Sequence, residues 1–113
     1  MSSSVPVQQF AALGNELRLA CFRFVIQAGV AGRAAGEIAQ ALDVAPSTLS
    51  SHLGTLQQCG LLTSRRDRQR VIYSVDADAV KTLVAFLLED CCQGQPELCG
   101  VRLDAERLSA GGR

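Results

Sequence analysis

A length of 113 residues with a 48% hydrophobic fraction allows one small core, and a charged fraction of 19% excludes a chain that is disordered by composition. Eleven Lys and Arg balance eleven Asp and Glu, which excludes a highly basic tail. The balance hides an asymmetry: residues 1–75 carry seven Arg against four acids, and residues 76–113 carry seven acids against four bases, so the two ends suit different partners. No run of about 18 apolar residues exists to span a bilayer. Met1 to Pro6 lacks the basic start and apolar stretch of a secretory signal. The five cysteines are odd in number and unevenly spaced, a poor fit to a secreted disulfide framework. The expectation is a reducing cytoplasm, with the cysteines as free thiols, metal ligands or redox centres.

In chain order, Val7–Leu13 predicts a short helix with Phe10 and Leu13 on one face, interrupted at Gly14-Asn15. A second helix is predicted from about Glu16 to Gln27, where Leu19, Phe22 and Ile26 recur with the spacing of a buried stripe. Gly29 and Gly32 then mark a stop. Gly36–Leu42 predicts a short helix, Asp43-Val44-Ala45 a turn, and Pro46 a second helix running to about Gln58 and ended by Gly60. Leu49, Leu53 and Leu56 form its apolar face. Two short helices across a tight turn make a helix-turn-helix pattern over about 36–58.

The β-prone runs Leu61–Ser64 and Val71–Val75 flank Arg65-Arg66-Asp67-Arg68-Gln69-Arg70, a predicted hairpin whose tip carries four Arg. A helix-turn-helix followed by such a wing, at about 61–75, is a winged helix. Asp76 or Asp78 can cap the last helix, at about 77–91, where Val80, Leu83, Val84, Leu87 and Leu88 make one wide stripe. That is more apolar surface than one small domain covers, so a symmetric dimer is expected, buried on this helix and on Phe10 of the first. A cysteine-bearing tail occupies 91–113, broken by Gly94 and Pro96. The predicted class is mainly α with a small β-hairpin: one winged helix-turn-helix domain over 1–113, dimeric through its N- and C-terminal helices.

Two segments resemble the ArsR/SmtB family of winged-helix repressors, in a match that covers roughly residues 8–90. Phe10-Ala11-Ala12-Leu13-Gly14-Asn15-Glu16-Leu17-Arg18-Leu19 is similar to the family's "ALxDPxRLxIL", with Glu16 and Leu17 where Pro-Thr is usual. Gly36–Leu42, then Pro46-Ser47-Thr48-Leu49-Ser50-Ser51-His52-Leu53, then Leu56 and Cys59-Gly60-Leu61-Leu62 resemble "ELAxxLxxSxxxVSxHLxxLxxAGLV". The Ser-x-His-Leu-x-x-Leu piece is the specific part. The resemblance implies a prokaryotic, non-enzymatic homodimer that represses at an inverted-repeat operator in double-stranded DNA and leaves it when an inducer binds. It needs no organic cofactor. The second helix of the pair would read bases through Ser47, Thr48, Ser50 and Ser51, whose hydroxyls discriminate modestly. Its single histidine, His52, would pack or touch phosphate, and Arg65, Arg66, Arg68 and Arg70 would meet phosphates or the minor groove.

Cys91, Cys92 and Cys99 fall where the last helix breaks, and thiolates favour soft, thiophilic centres. A regular helix points neighbours about 100° apart. A frayed end can aim Cys91 and Cys92 at one ion, and the loop from Gln93 to Leu98 can bring Cys99 back. Three thiolates without a local histidine fit zinc poorly and fit trivalent arsenic or antimony well. Arsenite sensing is a role found in the family. Other family sites are missing: Ala39 and Ala41 stand where "ELCVCDL" has cysteines, and Asp76 and Asp78 lack the histidines of the last-helix zinc site. The expected inducer is therefore arsenite, with antimonite and methylarsenite as variants. The alternative is a thiol sensor of oxidants or sulfane sulfur that pairs Cys21 with Cys91 or Cys92. Cys21 and Cys59 otherwise fall on positions that are usually core. An enzymatic thiol lacks support, since Glu89 and Asp90 beside Cys91 should raise its pKa.

Overall fold

A computed structural model describes residues 4–91, with the side chains of residues 5–88. The chain divides after Val80 into two units, taken in turn. The first begins with α1 (Ser4–Leu13), three residues earlier than its sequence predicts. Pro6 lies in the first turn, where the N–H it lacks has no intrahelical acceptor. α2 (Glu16–Gln27) starts at Asn15, whose backbone is extended and whose Oδ1 accepts the N–H groups of Leu17 and Arg18, both at 3.0 Å.

The inward face of α2 is not the expected one. Cys21 and Val25 are fully buried, whereas Leu19 and Ile26 are 42% and 41% exposed. The helix carries two apolar faces at helical spacing, and the core takes the one on which Cys21 and Val25 lie a turn apart. A single 3-10 turn (Gly29–Ala31) leads to β1 (Arg33–Ala34), a strand absent from the sequence reading. β2 (Leu62–Asp67) and β3 (Arg70–Val75) form the wing, and the sheet is antiparallel in the order β1-β3-β2. In the register, Ala34 opposes Ile72, and Leu62 opposes Val75.

Between β1 and β2 lie α3 (Ala35–Leu42) and α4 (Pro46–Gln58), both within a residue of expectation. Glu37 Oε1 accepts the Ala34 N–H at 2.8 Å and so closes the α3 N-terminus. Asp43 in the left-handed region ends it, and Pro46 opens α4. Beyond α4, Gly60 adopts φ 89, its N–H donating to Gln57 O at 3.0 Å and the Leu61 N–H to Leu56 O at 3.1 Å. This is the paired closure of a Schellman motif. Ile38, Leu49, Leu53, Leu56, Leu61 and Leu62 are buried to 1% exposure or less, each contributing about 2 kcal/mol through burial. The core thus lies under α4, which fixes which of its faces looks outward.

Asp76 caps α5 (Ala77–Ala85) through Oδ1, which accepts the Ala79 N–H at 3.2 Å. The second unit holds the rest of α5 and a π-helical turn (Phe86–Cys91). Leu83 is buried, and Val84 and Leu87 are exposed. Regular α-helical winding therefore stops at Ala85, six residues before Cys91. Cys92 and Cys99 lie outside the described residues.

Candidate nucleic-acid interface

Burial of Leu49, Leu53 and Leu56 turns Ser47, Thr48, Ser50 and Ser51 out to solvent, as their spacing predicts. Ala45 and Pro46 at the start leave no side-chain cap on α4, so these hydroxyls are not consumed in capping. His52 is half-buried, its Nδ1 lying 3.3 Å from Nη1 of Arg18. Gln57, near the end of α4, donates to Ser64 Oγ at 2.9 Å and ties α4 to the wing.

The wing differs from a loop with four cations at its tip. Arg65 and Arg66 lie in β2 opposite Ile72 and Val71, Arg70 opens β3, and only Arg68 and Gln69 form the turn. The backbone pairing extends through the Arg-rich stretch because a ladder bonds main-chain groups whatever the side chains. The four guanidinium groups also have separate tasks. Arg65 donates through Nη2 to Ala31 O at 2.9 Å and through Nη1 to Ser74 Oγ at 3.2 Å, anchoring the wing to the Gly29–Gly32 turn. Arg70 faces Glu37 at 3.4 Å, with both side chains about half-exposed. Arg66 and Arg68 are exposed and make no such contact among the described residues.

Arg68 has φ 63, a left-handed backbone that costs a non-glycine residue about 1 kcal/mol. Arg68→Gly is expected to raise stability in urea by about 0.5 kcal/mol, since relief of strain exceeds the entropy cost of glycine. The same variant should weaken DNA binding and flatten its salt dependence by about 0.9 in log–log slope, the signature of one lost phosphate contact. A stability loss, or an unchanged salt slope, would contradict this reading of the turn.

Sequence reasoning named the serines, His52 and the arginines, and missed Arg18, Glu37 and Gln57, which position them. Arg18 and His52 are 34 positions apart, and no local pattern pairs them. Among the described residues, no three His, Cys, Asp or Glu side chains are grouped to hold a metal ion. Cys21 is fully buried, and burial pushes its thiol above the ordinary range. Cys59 is half-buried, its thiol 3.3 Å from Leu56 O. No helix of the described residues is long and apolar enough to cross a membrane.

A family model described as a helix-turn-helix domain matches residues 13–65, from the end of α1 into the wing. The uncharacterized HTH-type transcriptional regulator YceK of Bacillus subtilis is 31% identical over 85 residues, 75% of this chain and 84% of YceK. The chain belongs to the ArsR-like helix-turn-helix transcriptional regulators. The regulator is also similar to the HTH-type transcriptional regulator YgaV of Escherichia coli, 36% identical over 64 residues, 57% of this chain and 65% of YgaV. Among solved structures it resembles the homodimeric winged helix-turn-helix DNA-binding domain of Mb0332 from Mycobacterium bovis, a possible ArsR-family transcriptional regulator. That match has a TM-score of 0.61 at 26% identity and covers 73% of this chain and 74% of the other. Membership makes the regulator a DNA-binding protein and not an enzyme.

Proposed function

We propose that this regulator is a homodimeric repressor that holds an inverted-repeat operator and leaves it when trivalent arsenic binds Cys91, Cys92 and Cys99. Ser47, Thr48, Ser50 and Ser51 read base edges, His52 touches phosphate, and the wing arginines hold the backbone, Arg66 and Arg68 foremost. Two copies meet through apolar side chains of α1, α5 and the π-helical turn, with Phe10, Val84 and Leu87 supplying exposed surface and Val80, Leu83 and Leu88 the remainder of the stripe.

The observation that carries the inducer is where α-helical winding stops. Three thiols converge on one atom only if neighbouring cysteines escape the fixed angular step of an α-helix. The π-helical turn Phe86–Cys91 supports that escape at the first of the three. Such turns recur at functional sites. A three-sulfur set suits arsenite or antimonite, and methylarsenite, with two open valences, needs only two of the thiols. In a reducing cytoplasm the thiols are free to bind.

A thiol-sensing role for Cys21 with Cys91 or Cys92 is the rival. Full burial of Cys21 and a thiol held protonated weigh against it, because the thiolate is the nucleophile. Differential alkylation read by mass spectrometry separates the two. Arsenite is expected to protect Cys91, Cys92 and Cys99 of the reduced protein and to leave the labelling of Cys21 and Cys59 unchanged. Protection absent with arsenite, together with a Cys21 cross-link after a persulfide donor, would overturn the arsenic reading in favour of the rival.

A further inference from the structure

Arg18 stands at the first turn of α2, fixed from two sides. Its N–H donates to Asn15 Oδ1, and its Nε donates at 2.8 Å to Ala12 O in the last turn of α1. A carbonyl in that position has no intrahelical donor, so the guanidinium both closes α1 and is held in place by it. From there Nη1 reaches Nδ1 of His52 on α4 at 3.3 Å. A guanidinium has donors and no acceptor, so the contact is a hydrogen bond only if Nδ1 offers a lone pair. The neutral imidazole must then carry its proton on Nε2. No hydrogen bond to Nε2 is present among the described residues, and His52 follows Thr48 by one helical turn on the solvent-facing helix.

We propose that Arg18 is a positioning residue that locks His52 in the Nε2–H tautomer and so presents Nε2–H as a donor to a DNA phosphate. This rests on α4 being the reading helix. Without Arg18 the ring could also protonate Nδ1 and present a lone pair to the phosphate, an interaction between two acceptors.

The regulator has one histidine, so its ring nitrogens give one pattern in a long-range 1H–15N spectrum. The free wild-type protein is expected to show the proton on Nε2 and a bare Nδ1, and Arg18→Met to show a mixture of tautomers. His52→Asn, which carries its amide near the Nδ1 position, should weaken operator binding about tenfold. His52→Gln, whose amide nitrogen reaches the Nε2 position, should lose about threefold. A proton on Nδ1 in the wild type, or equal losses in the two His52 variants, would overturn the proposal whatever Arg18→Met does to folding. Absence of any operator binding by the wild type would sink the reading of α4 and the phosphate role with it, while the tautomer in the free protein would still report whether Arg18 sets the ring.

Discussion

Gly32→Ala is expected to remove at least about 3 kcal/mol of stability, lowering the thermal midpoint by more than about 12 °C. Gly32 adopts φ 72 and ψ −168, a combination reserved almost wholly for glycine. A Cβ there would overlap the backbone oxygen of Tyr73 and approach Ser74 Oγ to 2.5 Å. The first obstacle is main chain of the central strand and cannot rotate away. The second is the hydroxyl that receives Arg65 and donates to Val30 O at 3.4 Å, so moving it frees the wing from its anchor. Gly36→Ala is the control, since a Cβ at that position in α3 meets nothing within 4 Å. It should be neutral or stabilise by about 0.5 kcal/mol. A Gly32→Ala protein within about 1 kcal/mol of the wild type in urea unfolding would contradict the tight approach of this turn to β3.

The second large effect concerns induction. Cys91→Ser and Cys92→Ser should each leave operator affinity within about twofold of wild type and abolish release by arsenite, because a serine hydroxyl is a poor ligand for a soft centre. Cys99→Ala should lose the arsenite response and keep the response to methylarsenite, which two thiolates can hold. The separation is expected because none of the three cysteines belongs to α4 or to the wing. Normal release by arsenite from both the Cys91 and Cys92 variants would remove the assigned site. For release, arsenic must favour a low-affinity arrangement over the DNA-bound one by a coupling of about 1–3 kcal/mol, and the α5 helix that ends in the π-helical turn is the element available to carry it.

Elements with local punctuation were legible before any coordinates. Asn15 ahead of α2, Pro46 opening α4 and Gly60 beyond its end are each decided by backbone chemistry within four residues, and their boundaries hold. The apolar stripe of α4 also holds, because its opposite face is polar and leaves no second choice. α2 offers two apolar faces, so periodicity alone could not decide that Cys21 and Val25 go inward while Leu19 and Ile26 stay at the surface. β1 is two residues long and has too few positions to alternate, and it is held only by its pairing with β3. The hairpin was legible, but its tip read too long, because composition weighs side chains while the ladder through Arg65, Arg66 and Arg70 is made by main-chain groups. The serines of the reading helix follow from the motif. The contacts around them do not: Arg18 with His52, Glu37 with Arg70 and Gln57 with Ser64 each join different elements and exist only once the chain has folded.

Arsenic as the inducer is put to the test by fluorescence anisotropy of an inverted-repeat operator fragment bound to the reduced regulator and titrated with arsenite. Tight binding is expected before addition and full release at about one arsenite per subunit, reversed by excess dithiol. Binding that persists through saturating arsenite would leave an operator-binding winged helix and contradict arsenic as the signal that lifts it.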